Sequence, residues 1–155
     1  MTTTTKGSAQ WRQDEDRHFR VAGVSFALKV TGEESGGACA VVEATLPPYF
    51  AGPTPHLHQR TTEVFYMLSG SIAFTLDHET VIARAGDVVR VLPGTVHRFW
   101  NPTAAPATYL NFLAPGGFEQ YFVELAAVMA SEPSWPPADL SQVLALGAKY
   151  DLVPA

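Results

Sequence analysis

The sequence predicts an all-β fold, an antiparallel sandwich or barrel, that ends in a short helical appendage. Between residues 18 and 115 the chain is divided into many short runs rich in Val and Phe, which are residue types that favour strands. Glycine, proline and aspartate separate these runs. Such punctuation is typical of antiparallel sandwiches and barrels, so residues 18–115 are predicted to form one barrel domain.

The predicted elements follow in order along the chain. Residues 1–17 lack apolar periodicity and are predicted to be a flexible arm. Two strand-like segments, 19–30 and 39–46, are separated by the turn-forming run 32–37. A stiff loop with four prolines follows at 47–55. Further short strands are predicted at 63–68, 71–77, 81–83, 88–91, 96–100 and 107–114.

The period of the apolar residues changes after Gly116 and Gly117. Apolar side chains then recur at the helical spacing i, i+3, i+4 and i+7, at Phe118, Tyr121, Phe122, Leu125, Val128 and Met129. Prolines from position 133 onward end this helix, and a second short helix is predicted from about Leu140 to Tyr150. Residues 116–155 are therefore predicted to be a helical appendage whose apolar stripe covers one opening of the barrel.

The composition excludes several classes of partner. A chain of 155 residues is expected to be a single domain beyond its arm and appendage. Its net charge of −5 and its scattered lysines and arginines argue against nucleic acid and anionic membranes as partners. No apolar stretch reaches the length of a membrane span and Met1–Gln10 is polar, so a cytoplasmic location is expected. Cys39 is the only cysteine, which excludes an intrachain disulfide.

Three histidines and one glutamate form the best candidate for a functional site. His56 and His58 are two residues apart, which places both imidazoles on one face of a strand. Glu63 follows after four residues, and His97 comes from a distant strand. Three imidazoles and a carboxylate suit one divalent ion of Fe, Mn, Ni, Co, Cu or Zn better than Mg or Ca. Because such an ion can take five or six ligands, one or two positions remain for water, substrate or dioxygen.

Two segments around these residues resemble the sequence motifs of the cupin superfamily. Residues 52–63, followed after six residues by Gly70, are similar to the first motif, G(X)5HXH(X)3-4E(X)6G. Residues 86–97, with Asn101 four residues further on, are similar to the second, G(X)5PXG(X)2H(X)3N. The resemblance covers roughly residues 20–115, and the short spacing between the two motifs is that of small bacterial cupins.

The chain departs from these motifs at two positions. Gly52 stands four residues before His56 instead of six, and Leu92 stands where the second motif has proline. Neither position is a ligand, so the departures concern the geometry of the loops. The resemblance therefore still implies a cupin barrel, a double-stranded β-helix of jelly-roll type, with a metal held by His56, His58, Glu63 and His97. It also implies a homodimer, since cupins of this size usually pair.

The function implied by the resemblance is oxidative. The segments 47–58, 93–97 and 115–119 are similar to small quercetin-2,3-dioxygenase-like cupins, in which the metal binds the deprotonated hydroxyl or enol of a flavonol and brings dioxygen to it. The implied protein is a metal-dependent dioxygenase for an aromatic or enolic small molecule, with Glu63 as the catalytic proton acceptor. A non-oxidative isomerase or lyase, or a non-catalytic small-molecule binder, uses the same ligands and remains the alternative.

Strand parity extends from the ligands to a predicted substrate pocket. Phe65 and Met67 share the inward face of Glu63, and Phe99 shares that of His97. These three side chains are expected to belong to the barrel core and to line an apolar pocket over the metal, together with Phe122 of the tail helix. A pocket of this kind favours an aromatic substrate over a sugar.

Overall fold

The computed structural model confirms an all-β fold with two short helices. It describes residues 2–5, 7–10, 12, 17–134 and 136–155. Two antiparallel sheets of six and five strands enclose the hydrophobic core, and a separate two-stranded sheet lies near the N-terminus. Within these described ranges no strand pairing joins the two large sheets, so the fold is a jelly-roll sandwich and not a fully closed barrel.

The strands of the described residues, in chain order, are β1 Thr2–Thr5, β2 Ser8–Gln10, β3 His18–Val21, β4 Val24–Val30, β5 Ala40–Leu46, β6 His56–His58, β7 Thr62–Ser69, β8 Ser71–Leu76, β9 Glu79–Arg84, β10 Val88–Val91, β11 His97–Trp100, β12 Ala107–Ala114 and β13 Leu152–Pro154. The helices are α1 Glu119–Ser131 and α2 Ser141–Lys149. The larger sheet has the order β10-β7-β12-β5-β4-β3, and the smaller has the order β13-β6-β11-β8-β9.

Alternating burial along the central strands builds the core. Every second residue of β5 and β12 is buried, as expected for strands with one face on the interior. Aromatic rings pack together in the core: the ring centroids of Phe65 and Phe74 are 5.1 Å apart, and those of Phe65 and its neighbour in the same sheet, Tyr109, are 5.3 Å apart. Because Phe65 lies on β7 and Phe74 on β8, their contact joins the two sheets.

One predicted strand, 19–30, is in fact a hairpin. The chain reverses at Ala22 and Gly23, so that Val21 pairs with Val24 across a two-residue turn. Both turn residues have positive φ, 50° for Ala22 and 83° for Gly23, which is the pattern of the type I′ turn that matches the twist of paired strands. Apolar residues are distributed evenly on both sides of this turn, so the residue composition of 19–30 did not reveal it.

The N-terminal segment contains more structure than the predicted arm. Strand β1 pairs antiparallel with β2, and among the described residues neither strand pairs with a strand of the two large sheets. The described residues of β2 are exposed. Positions 1, 6, 11 and 13–16 lie outside the described residues, and the flexibility of the arm stays a prediction.

The C-terminal appendage is anchored to the sandwich by a buried carboxylate. Glu119, in the first turn of α1, accepts hydrogen bonds from the backbone amides of Gly32 at 2.6 Å and Gly117 at 2.7 Å. The backbones of Gly32 and Gly116 pass so close here that a Cβ on Gly116 would lie 2.5 Å from the Gly32 Cα. Further along α1, Phe122 stacks on Phe26 of β4 with ring centroids 4.8 Å apart.

The appendage ends in a strand that the sequence did not indicate. After α2, strand β13 pairs antiparallel with β6 at the edge of the smaller sheet. The strand that carries His56 and His58 therefore lies between β11 and the C-terminal segment. Neither helix of the described part of the chain has the length and apolar character needed to cross a membrane.

Candidate metal centre

Four buried side chains converge between the two sheets. His56 and His58 project from β6 and His97 from β11, whereas Glu63 projects from β7 of the larger sheet. Each offers one ligand atom, and these four atoms all lie within 4.8 Å of one another. None of the four residues is more than 6% exposed. The structure brings together all four residues predicted from the sequence, in a cluster that can hold a single metal ion.

A backbone carbonyl fixes the orientation of each histidine ring. In each case Nδ1 lies at hydrogen-bond distance from a carbonyl oxygen: His56 with Thr54 at 2.9 Å, His58 with Asp151 at 3.0 Å and His97 with Thr95 at 3.0 Å. A carbonyl oxygen only accepts, so the Nδ1 atom donates its proton and the Nε2 atom of the neutral ring keeps its lone pair. This orientation is the usual one for histidines that bind a metal through Nε2.

The charges of the cluster are strongly coupled. Burial opposes ionisation of Glu63, but the adjoining imidazoles of His58 and His97 outweigh it and hold the pKa of this carboxyl well below its usual range. Burial would likewise lower the pKa of His58, but the Glu63 carboxylate and the Asp151 carbonyl raise it. Burial, followed by the neighbouring His97, lowers the pKa of His56 to about 4. Glu63 is thus ionised at neutral pH, and its negative charge favours the binding of a cation in the cluster.

The donor set fits a divalent transition ion. Glu63 Oε2 lies 2.9 Å from His97 Nε2 and 3.3 Å from His58 Nε2. The His58 Nε2 atom is buried and has no hydrogen-bond partner among the described residues, which is the environment of a donor directed at an ion. Three imidazole nitrogens and one carboxylate are borderline donors that suit Fe, Mn, Co, Ni, Cu or Zn. No feature of the cluster selects among these metals.

A mainly apolar cavity of about 290 Å³ lies beside the cluster. His56, His58 and Glu63 form part of its wall, together with Tyr109 and Asn111. The C-terminal appendage contributes a further part of the wall, consisting of Phe118, Tyr121, Phe122, Leu125, Val143 and Leu152. The candidate metal centre therefore faces a cavity of small-molecule size that is lined in part by the C-terminal appendage.

Residues 42–113 match the family described as Cupin domain, and this range includes all four clustered residues. Residues 42–113 of the chain therefore form a cupin domain. The predicted superfamily is thereby confirmed, whereas the quercetin dioxygenase subgroup is not part of this identification. No curated protein sequence matches the chain.

Solved structures of other cupins share the fold at low sequence identity. A predicted oxalate decarboxylase from Thermotoga maritima is 22% identical, with a TM-score of 0.62 over 67% of this chain and 96% of that chain. The nucleoside dehydratase Pac13 from Streptomyces is 22% identical, with a TM-score of 0.57 over 73% and 87%. KdgF from Halomonas sp. is 16% identical, with a TM-score of 0.55 over 77% and 98%. These identities show a common fold and carry no activity to this cupin.

The predicted pocket residues separate into two groups. Phe99 and Phe122 line the cavity, whereas Phe65 and Met67 do not. Phe65 and Met67 are fully buried in the core, which was expected of them together with a place in the pocket wall. They share the face of Glu63, but each step of two residues along a strand moves the side chain about 7 Å further from it. The rings of Phe99 and Tyr109 contact Phe65 and separate it from the cavity.

Two polar residues of the site, Tyr109 and Asn111, were not predicted. Both lie on β12 and point inward, opposite Met67 and Phe65 of β7. Asn111 Nδ2 donates a hydrogen bond to Glu63 Oε1 at 3.0 Å. Burial, followed by the negative charge of Glu63, raises the pKa of the Tyr109 phenol, so that it stays protonated at neutral pH. Asn111 is a polar residue at an inward position of the predicted strand 107–114, and this feature of the sequence could have identified it as a site residue.

The loop before His56 is tied to the strand that carries His97. Gly52 has φ of 81°, and a Cβ at this position would lie 1.7 Å from the Phe99 carbonyl oxygen. Arg98 donates to the Ala51 carbonyl at 2.8 Å, and the Asn101 amide donates to the Pro47 carbonyl at 3.0 Å. The shortened spacing between Gly52 and His56 is thus accommodated by a tight backbone contact.

Proposed function

We propose that this cupin is a metal-dependent dioxygenase that acts on an aromatic or enolic small molecule. One observation carries the proposal: three imidazoles and one carboxylate, all buried, converge at the wall of an apolar cavity of about 290 Å³. The size of the cavity is close to the lower end of the range for small-molecule sites. An ion with four protein ligands has open positions on which an oxygen of the substrate can be bound.

His56, His58 and His97 would hold the ion, with Glu63 as the fourth ligand. When bound, the metal supplies Lewis acidity toward a hydroxyl or enol oxygen and, for a redox-active metal, a means of activating dioxygen. The chain keeps the three imidazoles in place by hydrogen bonds through Nδ1, and the side chain of Asn111 holds Glu63. The ligand side chains are therefore oriented for metal binding before the ion binds.

The cavity wall determines which substrates are accepted. Phe99 and Phe122 offer aromatic surface, and the polar groups near the ligands are confined to a few side chains. A sugar hydroxyl buried against such a wall without a partner costs about 1–3 kcal/mol. Flat, largely apolar ligands avoid this cost. The tail residues that cover the cavity also restrict the access of bulk water to the reacting atoms.

Glu63 is proposed to accept the proton of the substrate hydroxyl. Its low pKa makes it a weak base while it contacts the imidazoles, so proton transfer requires that one carboxylate oxygen turns toward the substrate. Asn111 donates to the other oxygen, Oε1, and so provides a pivot for this movement. The protonated Tyr109 phenol can donate a hydrogen bond within the cavity.

The test begins with elemental analysis of protein purified without added metal. Metal-loaded protein is then screened for oxygen uptake with flavonols, catechols and β-diketones, and products of active substrates are examined by mass spectrometry under ¹⁸O₂. We expect substrate-dependent oxygen uptake and two labelled oxygen atoms in the product, and neither in His56→Ala. A substrate that turns over at an unchanged rate without dioxygen would overturn the oxygenase proposal.

Tyr109 supports a second candidate, a non-oxidative isomerase or lyase. A phenol that keeps its proton, on a residue that lines the same cavity as Glu63, can donate a hydrogen bond to a substrate oxygen on which negative charge develops during a non-oxidative reaction. In this case the metal would act only as a Lewis acid. Anaerobic turnover of a β-dicarbonyl substrate that falls about 10²-fold or more in Tyr109→Phe would favour this candidate. An unaffected Tyr109→Phe variant would remove its supporting observation.

We also propose that two copies of the chain associate through the outer face of the larger sheet. Exposed apolar side chains lie side by side there on neighbouring strands, namely Tyr66 and Leu68 of β7, Val88 of β10 and Phe112 of β12. A second copy would cover this surface. Sedimentation analysis should show a dimer that Tyr66→Lys dissociates, while Ile82→Lys on the smaller sheet leaves it intact. A wild-type monomer at high protein concentration would contradict the proposal.

A further inference from the structure

Asp151, which lies between α2 and β13, forms a compact set of hydrogen bonds around the metal-binding segment. Its Oδ1 atom accepts a hydrogen bond from the Gln59 amide at 2.9 Å. Its Oδ2 atom accepts from the amides of Arg60 and Thr61, both at 2.9 Å, and from the Thr61 hydroxyl at 3.1 Å. Residues 59–61 are three of the four residues between His58 and Glu63, so one carboxylate holds the backbone between two candidate ligands.

The backbone of the same residue orients one ligand directly. The Asp151 carbonyl oxygen lies 3.0 Å from Nδ1 of His58, which fixes the rotation of the ring and leaves Nε2 directed at the cluster. Strand β13 then continues along β6 with Leu152 opposite His58 and Pro154 opposite His56. On its other edge, β6 pairs with β11 at a single position, His97 with His56. The tail therefore supplies most of the lateral support of the strand that carries two ligands.

The backbone conformation of Asp151 matches this role. Its φ of 68° lies in the left-handed region, at the point where the chain leaves α2 and turns into β13. Aspartate and asparagine tolerate this region better than most other side chains. The turn places the carbonyl and the carboxylate of one residue against the same short segment, 58–61.

We propose that Asp151 is a positioning residue of the metal centre, and that docking of the C-terminal segment and metal binding stabilise each other. The inference rests on the proposed function only in that the cluster holds a metal. Because the carboxylate restrains the chain between His58 and Glu63, its loss lets the two ligands separate. Because such coupling is reciprocal, a bound ion must hold the tail more firmly in place.

The decisive comparison uses Asp151→Asn and Asp139→Asn, each loaded with Co²⁺. Asparagine keeps the preference for positive φ, but its amide nitrogen cannot accept the hydrogen bonds that the second carboxylate oxygen accepts. Asp139 is exposed, lies in the same appendage and hydrogen-bonds only to Ser141 among the described residues, so it controls for the lost charge. Chelator competition should show Co²⁺ binding that is about 10–100-fold weaker in Asp151→Asn and within about twofold of wild type in Asp139→Asn.

A second measurement separates positioning from general stability. The visible absorption bands of bound Co²⁺ report the geometry of its ligands, so they should shift in Asp151→Asn and stay unchanged in Asp139→Asn. Hydrogen exchange of the amides of residues 151–153 should slow on addition of Co²⁺ to the wild-type protein. If Asp151→Asn does not fold, Thr61→Val removes one donor from the same carboxylate and should weaken binding in the same direction.

The outcomes distinguish the inference from the proposed function. Wild-type protein that binds no Co²⁺ overturns the metal centre itself. Wild-type protein that binds Co²⁺ while folded Asp151→Asn binds it with equal affinity and an identical spectrum overturns the role of Asp151. Amide exchange in residues 151–153 that is unaffected by the ion overturns the reciprocal coupling.

Discussion

Asn111 Nδ2 donates a hydrogen bond to Glu63 Oε1 at 3.0 Å, across 48 residues of sequence. This contact leaves Glu63 Oε2 beside the imidazoles, 2.9 Å from His97 Nε2 and 3.3 Å from His58 Nε2. One carboxylate thus has a structural oxygen and an oxygen that belongs to the candidate metal centre. Because of this division of roles, we expect substitution of Glu63 to affect metal retention and turnover differently from substitution of a histidine.

Glu63→Gln should retain much of the bound metal and lose turnover by about 10²–10⁴, because the three histidines still hold the ion and the proton acceptor is lost. Metal content by elemental analysis and kcat on an identified substrate measure the two effects separately. Glu79→Gln, on the exposed face of β9, is the matched control and should change neither. Near-normal turnover of Glu63→Gln would make Glu63 a structural ligand or a bystander.

His56→Ala should strip most of the metal and leave the β fold intact. The strands are held by apolar packing between the sheets, and they do not depend on the ion. Elemental analysis and far-UV circular dichroism are the measurements. His78→Ala serves as the control, since His78 is exposed in the turn between β8 and β9. Absence of any metal from wild-type protein refolded with excess Mn, Fe, Co, Ni, Cu and Zn would contradict the single-site assignment.

Phe122→Ala should weaken the binding of an aromatic ligand to metal-loaded protein by about tenfold or more, because an aromatic wall of the cavity is removed. Calorimetry with a flavonol or another aromatic enol tests this, and the metal content should not change. Ile82→Ala removes an exposed apolar side chain of β9 and should have no effect. Tight binding of sugars or polyols, with no binding of aromatic enols, would instead move the protein to the non-oxidative candidate.

Glu119→Gln should lower the free energy of unfolding by about 1–3 kcal/mol. The glutamine amide nitrogen would face one of two backbone donors, the amides of Gly32 and Gly117, and leave it buried without an acceptor. Urea denaturation gives the difference. Glu33→Gln in the neighbouring exposed turn is the control and should stay within about 0.5 kcal/mol of wild type. Equal stability of the two variants would exclude an anchoring role for Glu119.

Gly52→Ala should destabilise the protein far more than Gly36→Ala. Both glycines have positive φ, 81° and 66°, so both variants carry the same kind of backbone strain. Only at Gly52 does a Cβ meet a fixed atom, the Phe99 carbonyl oxygen at 1.7 Å, whereas Gly36 has nothing within 4 Å. Thermal unfolding of the two variants isolates the steric contribution. A similar melting temperature for both would show that the loop moves freely away from β11.

The sequence was informative wherever a property depends on neighbouring residues. The helical spacing from Phe118 onward predicted α1, and the His-x-His pair with Glu63 and His97 predicted the cluster that the structure brings together. Parity also placed Phe65, Met67 and Phe99 on inward faces correctly. It could not say how far along the strand the cavity extends, so Phe65 and Met67 are core residues and only Phe99 of the three lines the cavity.

The sequence by itself determined the all-β class, the two short helices and the identity of four converging donors, because strand and helix periods and motif spacing are local properties. Only the tertiary structure decided that Asn111 holds Glu63 and that Asp151 orients His58. These contacts join residues 48 and 93 positions apart, and they depend on which strands lie next to each other. Strand β13 shows the same dependence, since three residues become a strand only because β6 offers them an unpaired edge.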